Sequence, residues 1–215
     1  MNKYSVEDIL HHPFELVFAG KKPKYLVVGT FPTITKRMAF NFFYPNSNNN
    51  FWKVMDNVFP NSKSKINLEV SVKDDANIKE KNRIDRMRFC NENRIAVTNI
   101  IESCFRLEDN SKDEQLLVHR YNPIVNILKE HPTIERVILT AKSSGSSVHH
   151  HFYQYLTMNN IDFIFEKGEI PKGEISIGAR KISILSMPST SSRNSHSKES
   201  ELVKLYRFAF NQYSQ

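Results

Sequence analysis

The chain alternates short, β-branched apolar runs with longer helical patterns, and this alternation limits the folds open to it. Several of the short runs are apolar at almost every position, as are strands buried on both faces of a parallel sheet. The strand candidates are residues 24–30, 94–100, 135–141, 161–167 and 181–187. Apolar side chains at helical spacing predict helices over residues 49–59, 77–92, 121–131, 143–159 and 198–213.

This order of elements predicts an α/β fold, namely a three-layer α/β/α sandwich around a central, mainly parallel sheet. Residues 173–185 carry a hairpin pattern around Gly178, which indicates an antiparallel strand at one edge. No linker divides the 215 residues, so we expect a single domain over residues 1–215.

Composition and charge narrow the class of protein. Hydrophobic residues make up 40% of the chain, enough for a sizeable core, and no apolar run approaches the ~20 residues that span a bilayer. The N-terminus lacks the apolar segment of a signal peptide, so we expect a cytoplasmic protein with Cys90 and Cys104 as free thiols. The net charge of +7 favours a polyanionic partner such as nucleic acid.

Ligands of such sheets bind at the carboxyl ends of the strands, so the residues that follow each strand are site candidates. The first strand candidate leads into Gly29-Thr-Phe-Pro32 and then into a loop with four asparagines in residues 46–50. The second ends at Asn99, and the last leads into a hydroxyl-rich loop at residues 187–197. The asparagines indicate either a polar loop that caps a helix or a pocket that holds a planar polar molecule and a water.

The hydroxyl-rich loop at residues 187–197 and the three consecutive histidines each have a structural interpretation as well as a functional one. Hydroxyl and backbone N–H groups at a helix N-terminus, with Arg193 nearby, suit a phosphate. A solvated helix cap with Ser197 as N-cap would look the same. His149, His150 and His151 are consecutive, so on a helix they point in three directions and do not share one metal ion. We expect no metal and no carboxylate dyad.

Four motifs, taken in order, resemble the uracil-DNA glycosylase superfamily and most of all its hypoxanthine-DNA glycosylase-like branch. They are HPFELVFAGKKPKYLVVGTFPT, FFYPNSNNNFW, IAVTNIIESCFR and LSMPSTSSRN, and the resemblance spans about residues 12–200. It implies a monofunctional DNA glycosylase that hydrolyses the N-glycosidic bond of a deaminated base, uracil or hypoxanthine, flipped out of DNA for base excision repair. It also implies no cofactor, a DNA partner and a monomer.

The resemblance implies a role for each candidate residue. Asn49 matches the catalytic asparagine of that branch, which would orient a water and hydrogen-bond the developing charge. Asn48 and Asn50 are the alternatives, and Trp52 is expected to be scaffold behind the loop. The base-binding residues would be Gly29, Thr30, Phe31, Phe43, Tyr44 and Asn99. The DNA-binding residues would be Pro188, Ser189, Thr190, Ser191, Arg193, Asn194 and Lys198.

Three positions depart from the superfamily, and one of them is Thr33, where a glycine is expected. Phe31 stands where many members carry Asp or Asn before the proline, and Met187 stands where many carry a histidine. Both favour a first alternative, a non-catalytic nucleic-acid-binding protein with the glycosylase fold. A second alternative is a nucleoside or nucleotide hydrolase, whose closed pocket would lack a basic groove around Lys142, Arg193 and Lys198.

Overall fold

The computed structural model describes residues 6–108, 112–142, 145–192 and 198–212, which form nine strands, five α-helices and three short 3-10 helices. The strands are β1 Leu10–His11, β2 Val17–Ala19, β3 Tyr25–Gly29, β4 Ile95–Asn99, β5 Ile101–Arg106, β6 Leu116–Tyr121, β7 Arg136–Leu139, β8 Lys172–Ile177 and β9 Arg180–Ser186. The α-helices are α1 Phe51–Val58, α2 Ala76–Glu92, α3 Ile124–Glu130, α4 Val148–Met158 and α5 Glu199–Ala209. The 3-10 helices are Val6–Asp8, Thr35–Arg37 and Asp113–Gln115.

The main sheet has six strands in the order β2-β4-β3-β7-β9-β8. Its four inner strands are parallel to one another, whereas β2 and β8 pair antiparallel at the two edges. The predicted mainly parallel sheet is therefore correct for the inner strands, and the sheet as a whole is mixed. β3 and β4 pair as far as their last residues, with Gly29 opposite Asn99, so the two strands end side by side.

Helices pack on both faces of this sheet because successive strand residues point to opposite sides. Tyr25 and Val27 join a buried cluster with α1, α2 and α5. Leu26 and Val28 join a second cluster with α3 and α4. The sheet therefore lies between two helical layers, each of which buries an apolar face against it.

A smaller antiparallel sheet, β1-β5-β6, continues from the main one. Only Ile100 separates β4 from β5, and the pairing of β5 with β6 shifts register at Ser103. These strands, together with the three-residue β2, are too short or irregular for their sequence pattern to predict them. In the described parts of the chain, no helix is long and apolar enough to cross a membrane.

One strand prediction is wrong and one hairpin prediction is confirmed. Residues 161–167 form no strand and contribute a single bridge, from Glu166 to Lys172. The Phe163 side chain is buried in the core, whereas its neighbour Ile164 is 83% exposed. The hairpin around Gly178 is present as β8 and β9, and Gly178 has the positive φ of +60° that suits a tight turn.

Candidate active site

A cleft of about 1000 Å³ opens where the four inner strands end. The segments that follow β3, β4, β7 and β9 all contribute to its wall, because parallel strands place their carboxyl ends at one edge. Its volume is at the upper end of the range of about 300–1,000 Å³ for small-ligand sites. The cleft therefore has room for a nucleotide and part of an adjoining chain.

Asn49 lies at the start of α1 with its side-chain oxygen fully used. Oδ1 accepts hydrogen bonds from the Phe51 backbone N–H at 2.9 Å and from the Thr190 hydroxyl at 2.9 Å. A backbone N–H can only donate, so these bonds also settle which side-chain atom is oxygen. The amide nitrogen donates to none of the residues that the structure describes, so it is the group that Asn49 can offer to a ligand.

The asparagine loop is tied to the hydroxyl-rich loop after β9. Asn49 forms a β-bridge with Ser191, and the Asn50 N–H donates to the Thr190 carbonyl at 3.0 Å. Asn48 is exposed at the rim of the cleft, and Asn50 is the N-cap of α1. The loop therefore starts a helix and also lines the cleft, so the two interpretations of the asparagines are compatible.

Asn99, Gly29 and Tyr44 meet at the floor of the cleft. Asn99 ends β4 and is 7% exposed. A Cβ atom on residue 29 would lie 3.0 Å from the Tyr44 hydroxyl oxygen and 3.2 Å from Asn99 Nδ2, so a larger residue would crowd both side chains. The Tyr44 hydroxyl lies 3.0 Å from Thr140 Oγ1, and burial raises the Tyr44 pKa far above its usual value. Tyr44 is therefore a neutral phenol.

The aromatic candidates differ in what they expose. Phe43 lines the cleft but is only 2% exposed and packs into the core, so it offers little open ring surface for stacking. Phe31 is half-buried in the cleft wall, with the Arg106 guanidinium 5.9 Å from its ring centre. Tyr44 stacks on Phe51 with ring centroids 3.8 Å apart, and it also lines the cleft. Stacking against a ligand is thus left to Phe31 and Tyr44.

The remaining candidates are divided between cleft, scaffold and surface. Pro188, Ser189, Thr190 and Ser191 line the cleft with Thr30, although Thr30 and Thr190 are almost wholly buried. Lys198 is the exposed N-cap of α5, the place that the sequence assigned to Ser197. Arg193, Asn194 and Ser197 lie outside the described residues. Met187 and Trp52 are buried in the core, and Trp52 Nε1 donates to the Phe43 carbonyl.

The sequence analysis did not identify three polar residues near the cleft, namely Arg37, Arg106 and His12. Arg37 and Arg106 line it beside Asp113 and Glu114, so the rim carries both signs of charge. His12 is buried against Phe31 with ring centroids 5.9 Å apart. The one sequence signal for these residues was that His12 begins the first motif. Arg37 and Arg106 reach the cleft through contacts between distant parts of the chain, which the sequence does not show.

No metal centre is present among the described residues, where no three His, Cys, Asp or Glu side chains are grouped to hold an ion. The three histidines diverge, as a helix requires. His149 stacks on Phe165, and His151 Nδ1 lies 3.1 Å from the Tyr121 hydroxyl.

Fold and cleft together define an α/β protein with an amide-lined cleft at the carboxyl edge of its parallel strands. The same fold occurs in a solution NMR structure from Methanosarcina acetivorans described as a "putative Uracil DNA glycosylase". The two chains are 16% identical, with a TM-score of 0.57, and the match covers 94% of this chain and 98% of that one. No protein-family model and no curated protein sequence matches the chain. At this identity the likeness establishes the fold alone.

Proposed function

We propose that the protein is a monofunctional DNA glycosylase that removes a deaminated base, uracil or hypoxanthine, from DNA for base excision repair. The observation that carries this proposal is the cleft itself, which Asn49, Asn99, Phe31 and Tyr44 all line. The fold shared with the archaeal structure supports the same class of activity. The hypoxanthine-type branch is the narrower part of the proposal and rests on the sequence motifs.

Recognition would use the aromatic wall and the floor of the cleft. A base inside a duplex is out of reach, so it must first rotate out of the stack. Stacking of the flipped base on Phe31 or Tyr44 would contribute about 1–3 kcal/mol. The Asn99 amide, held at the end of a buried strand, would then hydrogen-bond the polar edge of the base.

Asn49 would act by donating a hydrogen bond and not by taking a proton. A neutral amide does not titrate, and its oxygen is already occupied by Phe51 and Thr190. Its N–H groups can hold the oxygen of an attacking water or stabilise charge on the departing base. Hydrolysis breaks the bond from C1′ to the base and forms one from C1′ to the water oxygen. The released proton ends on the base, and an abasic site remains.

The DNA backbone would follow the rim of the cleft. The net charge of +7 favours a polyanion, and Arg37 and Lys142 line the rim beside the hydroxyls of residues 189–192. Lys198 is exposed at the start of α5 and would add to this field. Salt-dependent binding to duplex DNA is the expected property of such a surface.

The test is base excision from labelled duplexes that contain one uracil or one hypoxanthine, followed by alkaline cleavage of abasic sites. Wild-type protein should give strand scission, Asn49→Ala should lose it, and Asn48→Ala is the matched control that should keep it. If Asn49→Ala still gives strand scission and Asn48→Ala loses it, the assignment of the catalytic amide to Asn49 is wrong and Asn48 takes its place. If the wild-type protein cleaves neither substrate, the proposed glycosylase activity is refuted.

Binding without excision is the second candidate, and two observations favour it. Phe31 puts a hydrocarbon ring in the cleft wall where a water-activating side chain would be expected, and Met187 is buried in the core. A wild-type protein that binds the uracil duplex tightly in a salt-dependent manner, yet releases no base, would establish this alternative. Binding of free nucleosides without affinity for duplex DNA would instead indicate the nucleoside hydrolase.

A further inference from the structure

Tyr44 has a backbone conformation that few aromatic residues adopt. Its φ is +55°, in the left-handed region where a bulky side chain is strained. Such strain persists only where the surrounding contacts impose it, and it is concentrated at functional sites. Here the ring is held by stacking on Phe51, with centroids 3.8 Å apart, and the hydroxyl oxygen lies 3.0 Å from Thr140 Oγ1. The Tyr44 hydroxyl is therefore a fixed polar group at the floor of the cleft, and the proposed function gives it no role.

The partners of Thr140 indicate where the Tyr44 hydroxyl proton points. Thr140 Oγ1 lies 3.3 Å from the Val28 carbonyl oxygen, which can only accept, so the Thr140 hydroxyl donates its single proton there. In the contact between the two side chains, Thr140 Oγ1 is then the acceptor and Tyr44 is the donor. Burial raises the Tyr44 pKa far above its usual value, so the phenol keeps its proton. The donation therefore runs from Tyr44 through Thr140 to Val28.

This arrangement leaves the Tyr44 oxygen as an acceptor. A phenol oxygen that donates its one proton still has a lone pair with which to accept. Within the described residues, the Thr140 hydroxyl is the one hydrogen-bond partner of Tyr44 Oη. Tyr44 and Thr140 both line the cleft, and so does Gly29, whose lack of a side chain leaves room for the hydroxyl. A ligand therefore meets an acceptor at Tyr44 and the N–H donors of Asn49 elsewhere in the cleft.

We propose that Tyr44 Oη accepts a hydrogen bond from the ring N–H that deamination creates in a base, and that Thr140 is the positioning residue that keeps Tyr44 an acceptor. This inference rests on the proposed function and deepens it. Deamination puts a hydrogen on the ring nitrogen beside the new carbonyl, both in uracil and in hypoxanthine. Cytosine and adenine have a bare nitrogen there, whose lone pair would face that of Tyr44. One acceptor thus selects both deaminated bases, and stacking is left to Phe31.

Three variants separate the hydrogen bond from the packing. Tyr44→Phe keeps the ring on Phe51 and removes the hydroxyl. Thr140→Val keeps the shape of the side chain and removes the acceptor, so the Tyr44 proton can turn to a ligand. Thr140→Ser keeps the hydroxyl and is the matched control. We would measure dissociation constants for duplexes that carry an uncleavable 2′-fluorinated deoxyuridine or deoxycytidine. Thermal melting would verify folding, and Thr140→Ala would replace a valine variant that does not fold.

Both Tyr44→Phe and Thr140→Val should lower the preference for uracil over cytosine by about tenfold, the value of one net hydrogen bond. Tyr44→Phe should do so by weakening uracil binding, because the ring N–H loses its acceptor. Thr140→Val should also strengthen cytosine binding, because the released Tyr44 hydroxyl can donate to the bare nitrogen. Thr140→Ser should keep the wild-type preference. An equal loss of affinity for both duplexes in Thr140→Val would overturn the proposal, since Thr140 would then only support the cleft.

The outcomes distinguish this inference from the function on which it rests. If wild type excises uracil but Tyr44→Phe keeps the full preference, Tyr44 accepts nothing from the base and the glycosylase stands. If wild type excises nothing, the glycosylase fails. In that case a uracil preference that both Tyr44→Phe and Thr140→Val reduce still supports the roles of Tyr44 and Thr140, and a wild type without preference refutes them.

Discussion

Asn49→Asp separates the two roles of Asn49. The side-chain oxygen accepts from the Phe51 N–H and from the Thr190 hydroxyl, each at 2.9 Å, and so ties the start of α1 to the loop after β9. Aspartate retains an oxygen at that place, and its charge strengthens both bonds and suits a helix N-terminus. The change thus replaces only the amide nitrogen, with an oxygen that cannot donate.

The expected magnitudes follow from these contacts. Asn49→Ala loses two hydrogen bonds of about 1 kcal/mol each, so its free energy of unfolding should fall by about 2 kcal/mol. Asn49→Asp should stay within about 1 kcal/mol of wild type. Both variants should lose roughly 10²–10³ in excision rate, since removal of one preorganised donor has that effect.

The assay is single-turnover excision of uracil from a duplex, measured beside urea unfolding of the same preparations. A stable but inactive Asn49→Asp protein would assign the function to the amide nitrogen. An Asn49→Asp protein that matches or exceeds the wild-type rate would refute the reasoning, because the oxygen, acting on water, would then be the working group.

Three further predictions concern the floor of the cleft, the fold and the DNA surface. Gly29→Ala should reduce the rate of excision, because its Cβ would lie 3.0 Å from the Tyr44 hydroxyl oxygen. Gly173→Ala is the control variant, since its Cβ would lie 2.7 Å from a backbone oxygen away from the cleft. It should lower the free energy of unfolding by about 1–3 kcal/mol and leave the excision rate per folded molecule unchanged. Glu92 accepts hydrogen bonds from residues 63–64 that lower its pKa from 4.5 to about 2, so it contributes stability above pH 4.5 that is lost as the pH falls toward 2. Urea unfolding from about pH 2 to pH 6 should therefore show a weaker acid dependence in Glu92→Gln, and an unchanged one would contradict this. Affinity for undamaged duplex DNA should fall linearly with salt on a log–log plot, and a flat plot would exclude the phosphate contacts.

Local pattern was a good guide to the inner strands and the helices. The runs that contain β3 and β7 are apolar at nearly every position, because both faces of these strands are covered. The same criterion failed at residues 161–167, where Phe163 is buried beside an exposed Ile164. An apolar run reports burial of side chains and not pairing of the backbone, so periodicity alone could not exclude a strand there.

The candidate site was only partly predictable. Gly29 and Asn99 were identifiable because each ends a strand at the edge where ligands bind. Phe43 shows the limit of this reasoning, since it lines the cleft beside Tyr44 and yet is only 2% exposed. His12 could not be found from the motif spacing, because it meets the Phe31 ring only in the folded chain.

The sequence by itself determined the order of strands and helices and the chemical character of the strand ends, because both are written in short stretches of chain. Only the tertiary structure decided which atom of the Asn49 amide is left for a ligand. That choice depends on partners far away in the sequence, such as Thr190, whose hydroxyl reaches Asn49 across 141 positions. A side-chain amide is a donor and an acceptor at once, and only its fixed neighbours determine which of the two a ligand meets.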